Sequence, residues 1–317
     1  MIPTLNRCEY LKRTLEMMIP QVERNQERVE LIVCSNSSKD DTDAYMKAMV
    51  SSHPVVRYKF FNDYVEVGQS LIRTFHEASA DFVVLWGDDD LPQPFFVDYV
   101  LETIDKYPKV GIIHLNRLHG KDTKYGMRNL EVQMGDYEEE YEEMSLGKLV
   151  ERFTISLGFI SSIVFRKDVW REDQLLPAAE FYGYEHLPMI LVGAKDWPTV
   201  YCDMPMLIQR CPMNRDFSDK WPLYHFIGVP NMMLYFDRIG ITRNAFQTWR
   251  QSKHNSSLLL FIWDMMYTSL DRKRYKPLCA KMNQSQTSIL RKMLTYVIVY
   301  TCPKVLFIAA KKHIYKK

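Results

Sequence analysis

The sequence predicts an α/β chain: an open, mostly parallel sheet with helices on both faces, plus a helical C-terminal extension. Three observations carry this. Short apolar strand-like runs alternate with amphipathic helical stretches through the first 115 residues or so. Phe82 to Trp86 is an apolar run that stops at Gly87 and is followed at once by Asp88-Asp89-Asp90. From about Pro222 onward the pattern is helical.

The elements follow in order. Leu11, Leu15 and Ile19 recur four apart, which predicts a helix over 9–19. Glu30 to Cys34 reads as a short buried strand. Ser35 to Thr42 is a polar turn rich in helix-capping residues, with a helix over 41–49 behind it. A strand over 55–61 and a helix over 67–79 come next; Leu71, Phe75 and Ala78 mark that helix's apolar face. The strand at 81–86, a helix over 94–106 and a strand over 110–115 complete the alternation. The acid-rich stretch 131–143 reads as a solvated loop. Phe159 to Phe165 is strand-like, 184–193 helical, and 199–202 a further strand. Apolar helical pieces lie at 255–270, 289–300 and 305–314. The expected domains are 1–220 and 221–317.

The chain has 317 residues, 47% of them hydrophobic, and a net charge of +2. That charge is unevenly spread. Residues 271–317 hold 12 Lys/Arg against the single acid Asp271, a net of about +11, so the first 270 residues carry about −9. Tyr296, Tyr300 and Phe307 sit among the tail's basic residues. Such a tail suits an anionic membrane surface, or else packs as an ordinary helical subdomain. Basic residues that alternate with apolar runs, without a stacking platform, argue against nucleic acid. Cys8, Cys34, Cys202, Cys211, Cys279 and Cys302 show no paired spacing, which predicts neither a zinc framework nor a disulfide scaffold. Met1 leads straight into Ile2-Pro3-Thr4, so no signal peptide is read. No apolar run approaches the ~20 residues that a membrane span needs. The expected compartment is the cytoplasm.

In open α/β sheets, ligands bind at the carboxyl ends of the strands. Asn36 and Asp88–Asp90 both lie at such ends. Adjacent carboxylates repel, so a cation among them relieves the charge. Asp88 and Asp90 can turn to one side and offer hard oxygen ligands to Mg²⁺ or Mn²⁺. The plainer alternative is a polar loop at a strand end.

Four segments, in order, are together similar to family 2 glycosyltransferases with the Rossmann-like GT-A fold. They are Ile2-Pro-Thr-Leu-Asn-Arg7, Val33-Cys-Ser-Asn-Ser-Ser-Lys-Asp-Asp-Thr42, Trp86-Gly-Asp-Asp-Asp90, and Gly158-Phe-Ile-Ser-Ser-Ile-Val-Phe165 with Trp170. The last most resembles abequosyltransferase-like enzymes of bacterial surface polysaccharides such as O-antigen or capsule. The resemblance covers about residues 1–220. It implies an inverting transfer of a hexosyl or deoxyhexosyl group from a nucleotide-sugar donor to a saccharide or lipid-linked saccharide acceptor. The setting it implies is the inner face of the cell membrane.

The resemblance also implies roles. Asp88 and Asp90 hold Mn²⁺ or Mg²⁺, with His186 as a third ligand or a structural histidine. Glu185 is the general base, or merely begins a helix. Pro3, Thr4, Asn36 and Asp63 contact the nucleoside; Arg7 and Asp89 join the donor site. Gly68 and Arg73 lie near the diphosphate, although Arg73 also reads as a surface cation. Arg210 and Arg215 belong to a flexible loop that closes over the donor, or to the surface. Two departures stand out. Ser35 replaces an acidic residue of the family's nucleotide site. Met1 stands where several apolar strand residues are usual, which predicts a natural start upstream or a rebuilt edge. Two further readings remain: a catalytically silent sugar-nucleotide or polysaccharide binding component, and a nucleotidyltransferase, for which Asn6-Arg7-Cys8-Glu9 supplies no phosphate loop.

Overall fold

In a computed structural model, the structure describes residues 1–123, 126–134, 140–175, 180–211, 220–286 and 288–308. The chain divides into two units. One comprises Met1–Leu176 and His186–Met213, the other Pro177–Glu185 and Asn214–Lys317.

The first unit runs β1 (Ile2–Thr4), α1 (Cys8–Arg24), β2 (Leu31–Asn36), α2 (Thr42–Ser52), β3 (Val56–Phe61), α3 (Val67–Phe75), β4 (Phe82–Val84), β5 (Leu91–Pro92) and α4 (Phe96–Lys106). It continues with β6 (Ile112–Thr123), β7 (Gly126–Val132), β8 (Tyr141–Met144), α5 (Leu146–Phe153), β9 (Ile163–Arg166), α6 (His186–Leu191) and β10 (Thr199–Cys211). Strands β1-β2-β3 form a parallel sheet. All six residues of β2 are buried, which is why Leu31 to Cys34 form a continuous apolar run and not an alternation, with the polar Ser35 and Asn36 at its carboxyl end. The second sheet is ordered β4-β9-β6-β10-β5, with β7 on β6 and β8 on β10. The α/β class expected from the sequence holds, and among the described residues of this second sheet β6 and β10 pair in parallel while the other pairings are antiparallel. Met1 joins the two sheets: its amine donates to the Val84 carbonyl (2.9 Å) and its carbonyl accepts from Trp86 N–H (2.8 Å).

Helix α1 lays Leu11, Leu15, Met18, Ile19 and Val22 on the sheet, and the core continues through Val33, Trp86, Phe96 and Ile113. Two loops of the sequence reading prove to be strands. Part of the acid-rich stretch is β8, which pairs antiparallel with β10 while Glu142 bonds Arg152 at its edge. Strand β10 does not end at Cys202. The interruption Asp203-Met-Pro205 is absorbed by a register shift between Cys202 and Leu207. Arg210 therefore stands on a strand and not in a closing loop.

The second unit is helical: α7 (Trp221–Leu223) runs through a π-turn into α8 (Val229–Arg238), then α9 (Ala245–Gln251), α10 (Lys253–Ser256), α11 (Leu258–Met266), α12 (Arg272–Tyr275), α13 (Cys279–Gln284) and α14 (Ile289–Thr301). Leu223, Phe226, Phe261, Met265, Met282 and Val299 anchor its core. Phe307, which the sequence offers to a membrane, is fully buried against Trp263 and Tyr267. Among the described residues no helix is long and apolar enough to cross a membrane.

Beside Met1, an apolar cavity of about 350 Å³ opens between β1, β4, α1 and α4. Leu31, Phe82, Val97 and Val100 are among its walls. The α-amino group is buried there, and burial pushes its pKa down to about 6. A β1 lengthened backwards would fill this space and move the amine out of it. Adding three or four apolar strand-forming residues before Met1 is therefore expected to raise stability by on the order of 2–4 kcal/mol, at ~0.8 kcal/mol per buried methylene. Urea titration against an equally long Gly/Ser extension checks this; equal midpoints for the two would refute it.

Candidate active site

Every element of the site begins at the end of β4. Leu85 and Trp86 are buried and fix the strand, and the Trp86 indole N–H donates to the Asp90 carbonyl (3.1 Å). At Gly87 a Cβ would lie 2.6 Å from Asp90 Oδ2, so a side chain there displaces the carboxylate. Gly87 N–H donates to Ser161 Oγ (2.8 Å), and that hydroxyl donates to Asp90 Oδ2 (2.6 Å). The Thr14 hydroxyl lies 2.9 Å from the carbonyls of both Asp88 and Asp90, pinning the turn from helix α1.

The three carboxylates meet different partners. Asp88 accepts from Thr4 Oγ1 (2.7 Å) through Oδ2, and Arg7 Nε lies 3.1 Å from Oδ1 as an ion-pair contact without hydrogen-bond alignment. Asp89, the more exposed one, accepts from Arg7 Nη2. Its carbonyl accepts from Arg210 Nε, while Arg210 Nη2 donates to the Tyr10 carbonyl (3.2 Å). The Tyr10 ring lies 4.9 Å from the Arg7 guanidinium and 5.1 Å from that of Arg210.

Burial pushes the Asp88 carboxyl up to about 7, with Asp89 adding repulsion and Arg7 opposing. Burial, then the charge of Asp89, holds Asp90 well above the usual carboxylate range. Arg117 is brought down to about 10 by burial, against the pull of Asp90. Its Nε donates to Gln209 Oε1 (3.0 Å) and its guanidinium lies 4.5 Å from the Phe159 ring.

A second cluster forms at the ends of β2 and β3. Arg73 Nη2 donates to Asn36 Oδ1 and to the Asp63 carbonyl (3.0 Å), and Nη1 lies 3.5 Å from Asp63 Oδ1. Its guanidinium lies 4.1 Å from the Phe61 ring. Asn36 Nδ2 also donates to the Val65 carbonyl (2.8 Å). Asn36, Asp63 and Arg73 are thus brought together, and Gly68 is buried in the first turn of α3. Pro3 is half-buried and Thr4 buried on β1. The loops after β1 and β2 lock together. Asn6 N–H donates to Ser38 Oγ (3.0 Å), Lys39 N–H to Asn6 Oδ1 (2.6 Å) and Cys8 N–H to Asp40 Oδ2 (2.9 Å). Asn6 and Ser37 hold positive φ values of 53° and 63°, which permit the two tight exits. Ser35 is fully buried and spends its hydroxyl on Ser38 (2.9 Å), a structural use.

His186 begins α6. It is buried, burial lowers it to about 4 so that the ring is neutral, and Nε2 has no partner among the described residues. Glu185, half-buried, belongs to the second unit. Arg215 lies outside the described residues. Among the described residues no three His, Cys, Asp or Glu side chains stand together as a ready ligand set. Two buried carboxylates with hindered ionisation nevertheless fit a hard divalent ion, which would offset the burial and the repulsion that raise them. Sequence reading missed Ser161, Thr14, Tyr10 and Arg117. Ser161 lay inside the fourth motif, and Thr14 was a polar residue on an apolar helix face. Tyr10 and Arg117 carried no signal.

The family model described as "Glycosyl transferase family 2" matches residues 1–173, more than half of the chain. A search of curated proteins finds no significant match. Among solved structures, S. aureus TarS 1–349 in complex with UDP-GlcNAc is 12% identical, with a TM-score of 0.56 over 93% of this chain and 89% of that one. The mannosyltransferase PcManGT from Pyrobaculum calidifontis, in complex with GDP-Man and Mn²⁺, is 12% identical, with a TM-score of 0.50 over 95% and 86%. At such identities the likeness establishes the GT-A fold.

The raised carboxyls predict a pH dependence. The folded pKa of Asp88, about 7, lies above its ordinary 3.8. The unfolded chain gives up this proton first, so stability falls as pH rises between those values. Without divalent ions Asp88 is expected to favour about pH 5 over about pH 7.5 by about 2–3 kcal/mol, against the opposite pull of His114, His186 and the Met1 amine, whose lowered pKa values cost stability at the lower pH. Asp90→Asn, which removes one raised carboxyl and leaves those groups in place, should shift the balance toward the higher pH. Urea unfolding of both proteins at both pH values is the measurement; a pH difference identical in wild type and variant would contradict it.

Proposed function

The chain belongs to the family 2 glycosyltransferases, and from that premise we propose that it is an inverting, metal-dependent enzyme. It moves a hexosyl or deoxyhexosyl group from a nucleotide sugar to a saccharide acceptor. The acceptor is lipid-linked, the product a bacterial surface polysaccharide such as O-antigen or capsule. The subgroup is abequosyltransferase-like, and the enzyme works peripherally at the inner face of the cell membrane through its C-terminal tail. The single observation that carries the transferase reading is the buried pair Asp88 and Asp90 at a strand end, both held back from ionising. The bound UDP-GlcNAc of TarS and GDP-Man of PcManGT support a nucleotide-sugar donor.

The residues divide the work. Asp90, with Asp88, would hold Mn²⁺ or Mg²⁺. Bound there, the ion supplies positive charge for the departing nucleoside diphosphate. Thr4, Ser161 and Thr14 keep the two carboxylates in place. Pro3, Thr4, Asn36 and Asp63 are assigned to the nucleoside, and Arg73, which bonds Asn36 and the Asp63 carbonyl, is assigned with Gly68 to the diphosphate. Arg7 and Arg210 hold Asp89 and its loop. Glu185 takes the proton of the attacking hydroxyl, and His186 keeps a neutral nitrogen available as a third ligand. Arg215 is assigned to diphosphate. A silent sugar-nucleotide binding component is the second reading. Arg7 favours it, because its guanidinium already engages two of the three carboxylates.

Ligand-induced thermal shift across nucleotide sugars, with and without Mn²⁺, is the first test. One donor is expected to raise the midpoint only with metal. Silence toward every nucleotide and nucleotide sugar would remove the proposal. With that donor, Asp90→Ala should lower kcat by roughly 10²-fold or more with the fold intact. Glu185→Gln should keep donor affinity and lose transfer by on the order of 10²–10⁴-fold. Full turnover in Asp90→Ala would exclude the metal role, and full turnover in Glu185→Gln would exclude the base.

A further inference from the structure

Helix α14 is apolar on both of its faces. Thr295, Ile298 and Val299 point into the second unit and are buried. Ile289, Leu290, Met293, Tyr296, Val297 and Tyr300 are exposed, with Ile289 at 77%, Met293 at 62% and Val297 at 53%. At 100° per residue these six fall within one arc, opposite the buried three. Lys292 flanks this arc. Lys276 lies 5.1 Å from the Tyr300 ring. Just past Pro303, Lys304, Val305 and Leu306 are exposed as well. A helix apolar all round is expected in a core or in lipid, and a contiguous exposed apolar face marks an interaction surface.

We propose that this outer face of α14 is a docking surface for an anionic lipid bilayer, into which the helix sinks side-on. Charge selects the occupant. The described residues 271–308 hold 8 Lys/Arg against the single acid Asp271, a net of +7, so pairing this face with a second copy would bring two cationic regions together. Nucleic acid would meet the charge but leave the Ile, Met and Val side chains without an apolar partner. A bilayer with acidic headgroups answers both chemistries: the acyl boundary takes the apolar arc and the phosphates face the lysines. Tyr296 and Tyr300 put amphipathic rings at the boundary. Phe307 takes no part, because it is buried in the second unit. The proposal rests on the reading above for its purpose, the presentation of a lipid-linked acceptor.

Co-sedimentation with phosphatidylcholine vesicles, with and without phosphatidylglycerol, tests it on the full chain. The wild type should pellet with the anionic vesicles and be released by salt. The double variant Met293→Glu/Val297→Glu should partition roughly tenfold or more weakly. Circular dichroism checks its fold. If that variant misfolds, Lys292→Glu/Lys304→Glu tests the same face through charge, with the same expected direction. Vesicle binding unchanged in the folded variants, or no binding by the wild type, would overturn the proposal. So would sedimentation velocity that shows a dimer dissolved by the double variant. Donor-induced thermal shift without vesicles is the separate readout of the transferase reading, so either can fail alone.

Discussion

Three carboxylates in succession at the end of a buried strand are the constraint on which the first unit's site depends. Their repulsion is not relieved by solvent, because Asp88 and Asp90 are nearly fully buried. The surrounding chain answers with neutral donors on the two buried members, Thr4 on Asp88 and Ser161 on Asp90, and with Arg7 across Asp88 and Asp89. The donors come from distant parts of the sequence: β1, the start of α1 and the turn before β9. Packing those elements together is what makes the triplet tolerable, and the triplet in turn fixes where they meet. A small hydroxyl holds a carboxylate oriented without neutralising it. That is compatible with the cation role proposed above.

The same logic runs through the neighbouring loops. The exits of β1 and β2 are joined by Asn6, Ser38 and Lys39, so the strand ends carrying Thr4 and Asn36 cannot drift apart. Arg73 adds the β3 exit through Asp63. Three consecutive parallel strands thus present their polar ends as one connected rim. Parallel pairing makes this possible, since it puts all three carboxyl ends on one edge of the sheet.

Much of this was legible in the sequence, for identifiable reasons. The strand before Asp88 was visible because a buried strand needs an unbroken apolar run. Asn36 and Asp63 were visible because both lie at or just after strand ends; that Arg73, in the last turn of α3, bonds both of them was not. What stayed hidden depended on partners far along the chain. Ser161 approaches Asp90 across 71 residues, and Arg117 on β6 acts on it through its charge, with nothing local to mark either. Antiparallel β9, which lies between β4 and β6, could not be inferred from an apolar string that reads the same in either direction. Strand β10 was cut short in prediction because Pro205 breaks the alternation, whereas a bulge lets the ladder resume at Leu207. Arg210 changed character with it, from a mobile cation to a buried donor for the Asp89 carbonyl.

The two ends of the chain show how burial decides a residue's meaning more than its type does. Phe307 and Met293 look equivalent in sequence, apolar residues in a basic tail. One is enclosed by Trp263 and Tyr267; the other stands open to solvent. Asp88 and Asp271 are likewise both aspartates beside arginines. Asp271 is a half-exposed residue that caps a short helix through Arg274 N–H, and water screens its charge. Asp88, enclosed, is the one whose proton is hard to remove. A carboxylate held in that condition weakens the folded state at neutral pH, a cost that the cation proposed above would offset.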